Sequence, residues 1–302
     1  MSVFSTMAGT QMLMFLYLLV GAVSSKTGII REEAREGMLS FLIYVVMPAS
    51  ILSSYVGGLE RQQLLEGMQA MLICTAACLL SWGLGALLWR RVPDGRRQVL
   101  IFGTVLPNIG NAGLPISQLV FGPMGVFYTS MQMIPGTILG WTIGPAIYGQ
   151  ARQKGMLKRF LTNPNIVAAF LGILLTLTGI RLPSVIGCAV TGITAMTAPL
   201  SMVLIGAALT QVKPRAILRP DVLLFCLVRL ILIPLLMLPV LRLLGVGTML
   251  WQVSIVLFAM PVANYVAIQG EMYGGDHIFA SALIFITTLL SLVTVPMVTL
   301  LF

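Results

Sequence analysis

Apolar residues in this chain fall in long, nearly uninterrupted blocks, not in alternating or one-sided patterns. The blocks cover residues 7–25, 36–57, 66–89, 98–121, 124–149, 164–180, 189–210, 221–245, 251–273 and 277–301. Most hold close to the ~20 residues an α-helix needs to cross the hydrocarbon core of a bilayer. The gaps between them are short. The pattern predicts an all-α polytopic membrane protein of about ten transmembrane helices in one bundle, with no separate soluble domain. The first block, from Ala8 to Val23, has no basic stretch before it, so no cleavable signal peptide is expected.

Composition agrees with that reading. Of 302 residues, 58% are hydrophobic and 9% charged, against about 25% charged in a soluble domain. A chain with so little polar surface cannot fold as a water-soluble globule. The net charge of +9 invites a nucleic-acid partner, but the basic residues are not gathered on one face with aromatics between them. They sit in the gaps. Fourteen of the eighteen follow blocks one, three, five and seven: Lys26, Arg31, Arg35; Arg90, Arg91, Arg96, Arg97; Arg152, Lys154, Lys158, Arg159; Lys213, Arg215, Arg219. The opposite gaps hold Arg61, Arg181 and Arg242, and Arg229 lies inside a block. The positive-inside bias therefore places the first set in the cytoplasm and both termini on the extracytoplasmic side of the cell (inner) membrane. The four cysteines, Cys74, Cys78, Cys188 and Cys226, lie in or beside apolar blocks without histidine or carboxylate neighbours. No metal site is expected from them.

The chain also repeats itself. Phe121-Gly122 ends the fourth block and Tyr273-Gly274 the ninth. Pro107 with Asn111 in the fourth answers Pro261 with Asn264 in the ninth. Gly144-Pro145 answers Val295-Pro296, and Met47-Pro48-Ala49-Ser50 answers Ala198-Pro199-Leu200-Ser201. The division is 1–149, a cytoplasmic connecting loop at 150–163, and 164–302. Five helices per copy is odd, so the second copy is expected upside down relative to the first, the inverted repeat of secondary transporters.

The chemistry concentrates in Leu106-Pro107-Asn108-Ile109-Gly110-Asn111-Ala112-Gly113-Leu114-Pro115. Pro107 and Pro115 remove backbone donors and clash with the preceding turn. Gly110 and Gly113 weaken the helix further. A break at bilayer depth is tolerable only inside protein or against a water-filled cavity. Asn108 and Asn111 add amide donors and acceptors there, and the half-helix beyond the break adds partial positive charge. Met260-Pro261-Val262-Ala263-Asn264-Tyr265 repeats the idea, with Gln269 further along. Paired broken helices at matching repeat positions point to a midplane binding site; the competing reading is a pair of structural kinks.

Other polar residues are weaker candidates. Arg229 lies eight residues past Asp221, roughly 12 Å along a helix. It either snorkels to the interface or holds a partner, and Glu271 on the same membrane side is the candidate for an ion pair or a proton site. Gln132, Ser130, Ser50, Ser53, Ser54 and Ser201 could line a cavity, although serine hydroxyls in helices more often bond back to their own backbone. His277, the only histidine, reads as a solvated loop residue. A nucleotide-binding G-x-x-x-x-G-K-[ST], an H-E-x-x-H, an intramembrane acid pair and a periodic arginine helix are all missing, which disfavours an ATP-driven pump, an intramembrane enzyme and a voltage sensor.

With Pro107 to Pro115 and Phe121-Gly122, with Asn163-Pro164-Asn165-Ile166 and Gly172-Ile173-Leu174-Leu175, with Ala198 to Leu209, and with Met260-Pro261 and Tyr273-Gly274, the chain resembles the auxin efflux carrier family in its short bacterial form, related to plant PIN carriers. The resemblance spans nearly the whole chain. It implies ten helices in a 5+5 inverted repeat, similar to bile-acid symporters and sodium/proton antiporters. Helices four and nine would cross at their proline breaks. Helices one, two, six and seven would form a scaffold and the other six a moving transport domain. It also implies small organic anions as substrates, auxins, malonate and other carboxylates among them. Asn111 and Asn264 would take the asparagine roles, and a homodimer is the implied assembly.

The expected function is thus a secondary carrier of a small organic anion working by alternating access, with no cofactor. Asn108, Asn111, Asn264 and Gln132 would bind the substrate, and Pro107, Gly110, Gly113, Pro115 and Pro261 would keep the crossing unwound. The alternatives are a symporter or antiporter with sodium or a proton as coupling ion, and a membrane-embedded receptor that binds without transporting.

Overall fold

The computed structural model describes residues 3–56, 58–150, 156–180, 182–210 and 220–302. In chain order its helices are α1 (Val3–Lys26), α2 (Glu32–Ser53), α3 (Arg61–Leu88), α4 (Arg96–Val105), α5 (Leu114–Ile147), the short α6 (Met156–Leu161), α7 (Pro164–Thr178), α8 (Ser184–Leu209), α9 (Pro220–Leu243), α10 (Thr248–Phe258), α11 (Tyr265–Met272) and α12 (His277–Val298). No β-strand occurs among the described residues. Six of these helices, α1, α2, α3, α8, α9 and α12, are long and apolar enough to cross a membrane, and α7 and α10 are shorter apolar helices. Their outer faces present Leu243, Val185 and Leu72 at 91%, 79% and 70% exposure. So much exposed aliphatic surface is stable in hydrocarbon and not in water. The chain is a multi-pass membrane protein. Among the basic residues used to orient it, Arg152, Lys154, Arg181, Lys213, Arg215 and Arg219 lie outside the described residues.

The fourth and ninth apolar blocks are each split, as their prolines predict. The fourth becomes α4 and the first turns of α5, with the non-helical residues Leu106–Asn108 between them. The ninth becomes α10 and α11, separated by residues 259–264. The fourth and fifth blocks run together as α5. Gly122, at φ 64° and ψ −154°, bends the helix between them. Only glycine adopts such a conformation without strain.

Some of the helix prolines are preceded by one widened turn. Three π turns occur among the described residues, at Leu42–Val46, Ile109–Gly113 and Val228–Leu232. Each ends two residues before a proline: Pro48, Pro115 and Pro234. A proline leaves the carbonyl four residues back without its donor and pushes its ring against it; a wider turn moves that carbonyl aside. In α8 the corresponding interruption is a turn at Ala195–Met196, just before Pro199.

The helices pack as α1 on α8, α2 on α7 and α8, α3 on α4 and α5, α10 on α5, and α12 on α1 and α11. The α1–α8 crossing is close. A Cβ built on Gly21 would lie 2.0 Å from the Val203 carbonyl oxygen, and one on Gly206 would lie 2.0 Å from that of Leu18. Small residues allow backbones to meet this way in membranes, where dispersion and weak hydrogen bonds replace the hydrophobic drive.

Candidate functional site

The two broken stretches cross and complete each other's backbone hydrogen bonding. Asn108 N–H donates to the Pro261 carbonyl at 2.8 Å, and Ala263 N–H donates to the Leu106 carbonyl at 3.2 Å. Pro107 and Val262 thereby form an isolated antiparallel bridge. Val262 N–H donates to Thr287 Oγ1 of α12 at 3.2 Å. Unpaired amides and carbonyls at this depth would each be expensive. The crossing satisfies most of them with protein groups and so holds two non-helical strands inside the bundle.

The loop beyond Pro107 is built around Asn108. Its side-chain oxygen accepts from Asn111 N–H at 3.2 Å, and its carbonyl accepts from Ala112 N–H and Gly113 N–H at 3.3 and 3.0 Å. Asn108 is buried at 7% exposure and is the cap of the π turn that opens α5. Gly110 and Tyr265, at the starts of the two half-helices, have backbone amides with no acceptor among the described hydrogen bonds.

A cavity of about 260 Å³ lies against this crossing. It runs between α2 (Leu39, Ile43, Met47), the loop from Leu106 to Asn111, the middle of α5 (Met133, Gly136, Thr137), the start of α7, and residues Ala263 to Ile268. Its size suits a small molecule rather than a drug-sized one. The sequence contains five asparagines, and all of them line this cavity: Asn108, Asn111, Asn163, Asn165 and Asn264. Among the described residues, no charged side chain does. Asn163 caps α7 by accepting from Asn165 N–H and Ile166 N–H at 3.0 and 3.3 Å. The Asn165 side chain is 8% exposed and its Oδ1 has no partner. The arrangement offers neutral amide donors and acceptors, two free backbone amides and the N-terminal ends of two half-helices. Such groups bind oxygens or small polar groups without a full counter-charge.

Pro107, Asn108, Gly110, Asn111 and Asn264, named as candidates from the sequence, all line this one cavity. Gly113, Pro115 and Pro261 stand behind its wall and shape the crossing without lining it. Gln132 does not reach the cavity: it is fully buried and donates from Nε2 to Ser254 Oγ of α10 at 3.1 Å. Of the serines, Ser53 and Ser54 bond back to their own helix, and Ser130 meets the Tyr55 hydroxyl at 3.1 Å. Asn163 and Asn165 carry no site expectation from the sequence, yet they form the wall facing the loop. Their signal was their residue type, since polar amides are so few in this chain.

The structure does not bring Arg229 and Glu271 together. Arg229 sits in the π turn of α9 at 1% exposure, so it neither snorkels nor pairs, whereas Glu271 is exposed at the end of α11. The ion pairs among the described residues are Arg35–Glu32, Arg96–Asp276 and Arg97–Asp94. Arg229 Nε and Nη2 are buried without hydrogen-bond partners. A charge held that way weakens the fold, and an apolar isostere should relieve it by about 1–4 kcal/mol. Arg229→Met is thus expected to raise the melting temperature of the detergent-solubilised protein by several degrees. A lower melting temperature would show that the guanidinium is held by a partner.

Comparison with known proteins points to membrane transport. The family described as "Membrane transport protein" matches residues 8–156 and, a second time, residues 150–299. The chain is 26% identical over 298 residues to an uncharacterized transporter of Methanocaldococcus jannaschii, covering 95% of this chain and 96% of that protein. It is 25% identical over 299 residues to an uncharacterized transporter of Methanothermobacter thermautotrophicus, covering 95% and 96%. A Rhizobium meliloti protein named "Putative malonate transporter" is 25% identical over 279 residues, covering 87% and 85%. With a polar cavity at the crossing of two broken membrane helices and a family match repeated along nearly its whole length, the chain belongs to the auxin efflux carrier-like membrane transport proteins.

Proposed function

We propose that the chain is a secondary transporter that moves a small organic anion across the membrane by alternating access. One observation carries the reading: every asparagine in the sequence lines one cavity, without charged side chains among the described residues, at the crossing of two proline-broken helices. A carboxylate accepts several hydrogen bonds, and each bond to a charged group contributes about 1.5–3 kcal/mol. Five amides can therefore replace part of its hydration. Without a fixed cation the site does not hold the anion so tightly that release becomes slow, a requirement of any conducting or carrying site. The name of the Rhizobium relative fits a carboxylate substrate.

The doubled family match supports the 5+5 inverted repeat of ten membrane helices, divided at 1–149 and 164–302 by the connecting loop. In that scheme α1, α2, α7 and α8 are the scaffold, and α3–α5 with α9–α12 move. The positive-inside bias of the basic loops supports both termini lying outside the inner membrane. Leu39 near the start of α2 and Asn163 at the start of α7 then put the cavity toward the cytoplasm. A second reading, with sodium as coupling ion, draws on the unpartnered Asn165 Oδ1, since neutral oxygens suit a hard cation.

The test is flux. Purified protein in proteoliposomes is expected to accumulate or release labelled malonate or an aromatic carboxylate that also raises its melting temperature, in parallel assays with and without sodium. A carboxylate that stabilises the protein but crosses no faster than in empty liposomes would favour the receptor.

A further inference from the structure

The side of the bundle away from the cavity is tied shut by polar contacts that cross between the proposed scaffold and the proposed moving helices. Gln118, on the first turns of α5, uses both ends of its amide. Its Nε2 donates to the Thr194 carbonyl of α8 at 3.2 Å, and its Oε1 accepts from Ser50 Oγ of α2 at 3.4 Å. Thr194 lies where α8 is interrupted before Pro199, and Ser50 lies just past Pro48 in α2. The two scaffold helices thus offer polar groups at their matching irregularities, and one side chain spans both.

A second contact lies alongside. Tyr55, just past α2 and 2% exposed, meets Ser130 Oγ of α5 through its hydroxyl at 3.1 Å. Its ring stands edge-on to Phe127 at 5.3 Å and lies against Gly172 of α7. Neither Gln118 nor Tyr55 lines the cavity.

Resting on the carrier reading above, we infer that Gln118 is a positioning residue for transport: the latch of the outer gate. Its two hydrogen bonds hold α5 against α2 and α8 while the cavity opens to the cytoplasm. They must break before the cavity can open to the other face. Removing them takes stabilisation from the state seen here and none from its opposite, so the population of the outward-open state rises.

A cysteine reporter tests this without any need for flux. Cys188 is exposed and the other three cysteines are buried, so the background is Cys188→Ser. The half-buried Met133, which lines the cavity, becomes the reporter as Met133→Cys. A membrane-impermeant maleimide is applied separately to each face of oriented vesicles. The parent is expected to label from the cytoplasmic face. Adding Gln118→Leu should speed labelling from the opposite face about tenfold, the weight of two ordinary hydrogen bonds. Ser50→Ala, which breaks one link and keeps the glutamine, should give a smaller increase and serves if Gln118→Leu does not yield folded protein. Opposite-face labelling as slow as the parent's in the folded variants overturns the latch. Faster labelling in a protein that moves no carboxylate refutes the transport reading and leaves the latch standing.

Discussion

Asn111→Ala is expected to lower carboxylate flux at least tenfold while leaving the melting temperature of the protein within a degree or two. The side chain of Asn111 makes no hydrogen bond to the rest of the protein among the described residues. Its backbone amide, which alanine retains, is the part held by Asn108. Truncation removes a donor and an acceptor from the cavity and disturbs nothing that shapes the loop. One lost hydrogen bond to a charged ligand is worth about 1.5–3 kcal/mol, or roughly ten- to a hundredfold in binding. Asn108→Ala is a poorer test, because Asn108 also caps the π turn. Normal uptake by well-folded Asn111→Ala would remove the loop from the binding site.

Gly206→Val is expected to leave little or no folded protein. The built Cβ at Gly206 falls 2.0 Å from the Leu18 carbonyl oxygen, and that at Gly21 equally close to Val203. Both obstacles are backbone, so no rotamer change relieves them. The helices must separate, and overpacking of this kind costs about 1–3 kcal/mol and sometimes more. Gly9→Ala on the same α1 is the control, since a Cβ there has nothing within 4 Å. The recovery of monodisperse protein and its melting curve after detergent extraction decide the matter. A Gly206→Val protein that melts like the parent would mean that α1 and α8 do not meet this closely.

The contrast between Asn111 and Asn165 shows what could be read from the sequence. Asn111 announces itself because prolines and glycines beside it forecast a break at membrane depth. Asn165 begins an ordinary helix and becomes a cavity residue only because α7 rests near the crossing. Leu39, Ile43 and Met47 are likewise indistinguishable in sequence from lipid-facing residues. Uniformly apolar helices do not encode which neighbour each face will meet. Gln132 was misplaced for that reason: its depth suited a site, but its face turns to Ser254. The pairing of Arg229 with Glu271 failed because Arg229 is buried in the bundle while Glu271 is exposed at the end of α11. The doubled family match and the split fourth and ninth blocks were legible because glycine and proline act locally.

Among the described residues the cavity walls carry no charge, and that bears on the energy source of the proposed cycle. An anion held only by amides keeps its own charge throughout its passage, so the membrane field acts on it in full. At about 100 mV, negative inside, the field favours outward movement by about 2.3 kcal/mol for each elementary charge. That is roughly a fiftyfold ratio at equilibrium. Had the wall held an arginine that travelled with the substrate, the field would have acted on a neutral complex. If the substrate is an anion, a neutral binding site would make membrane voltage a driving force for its export.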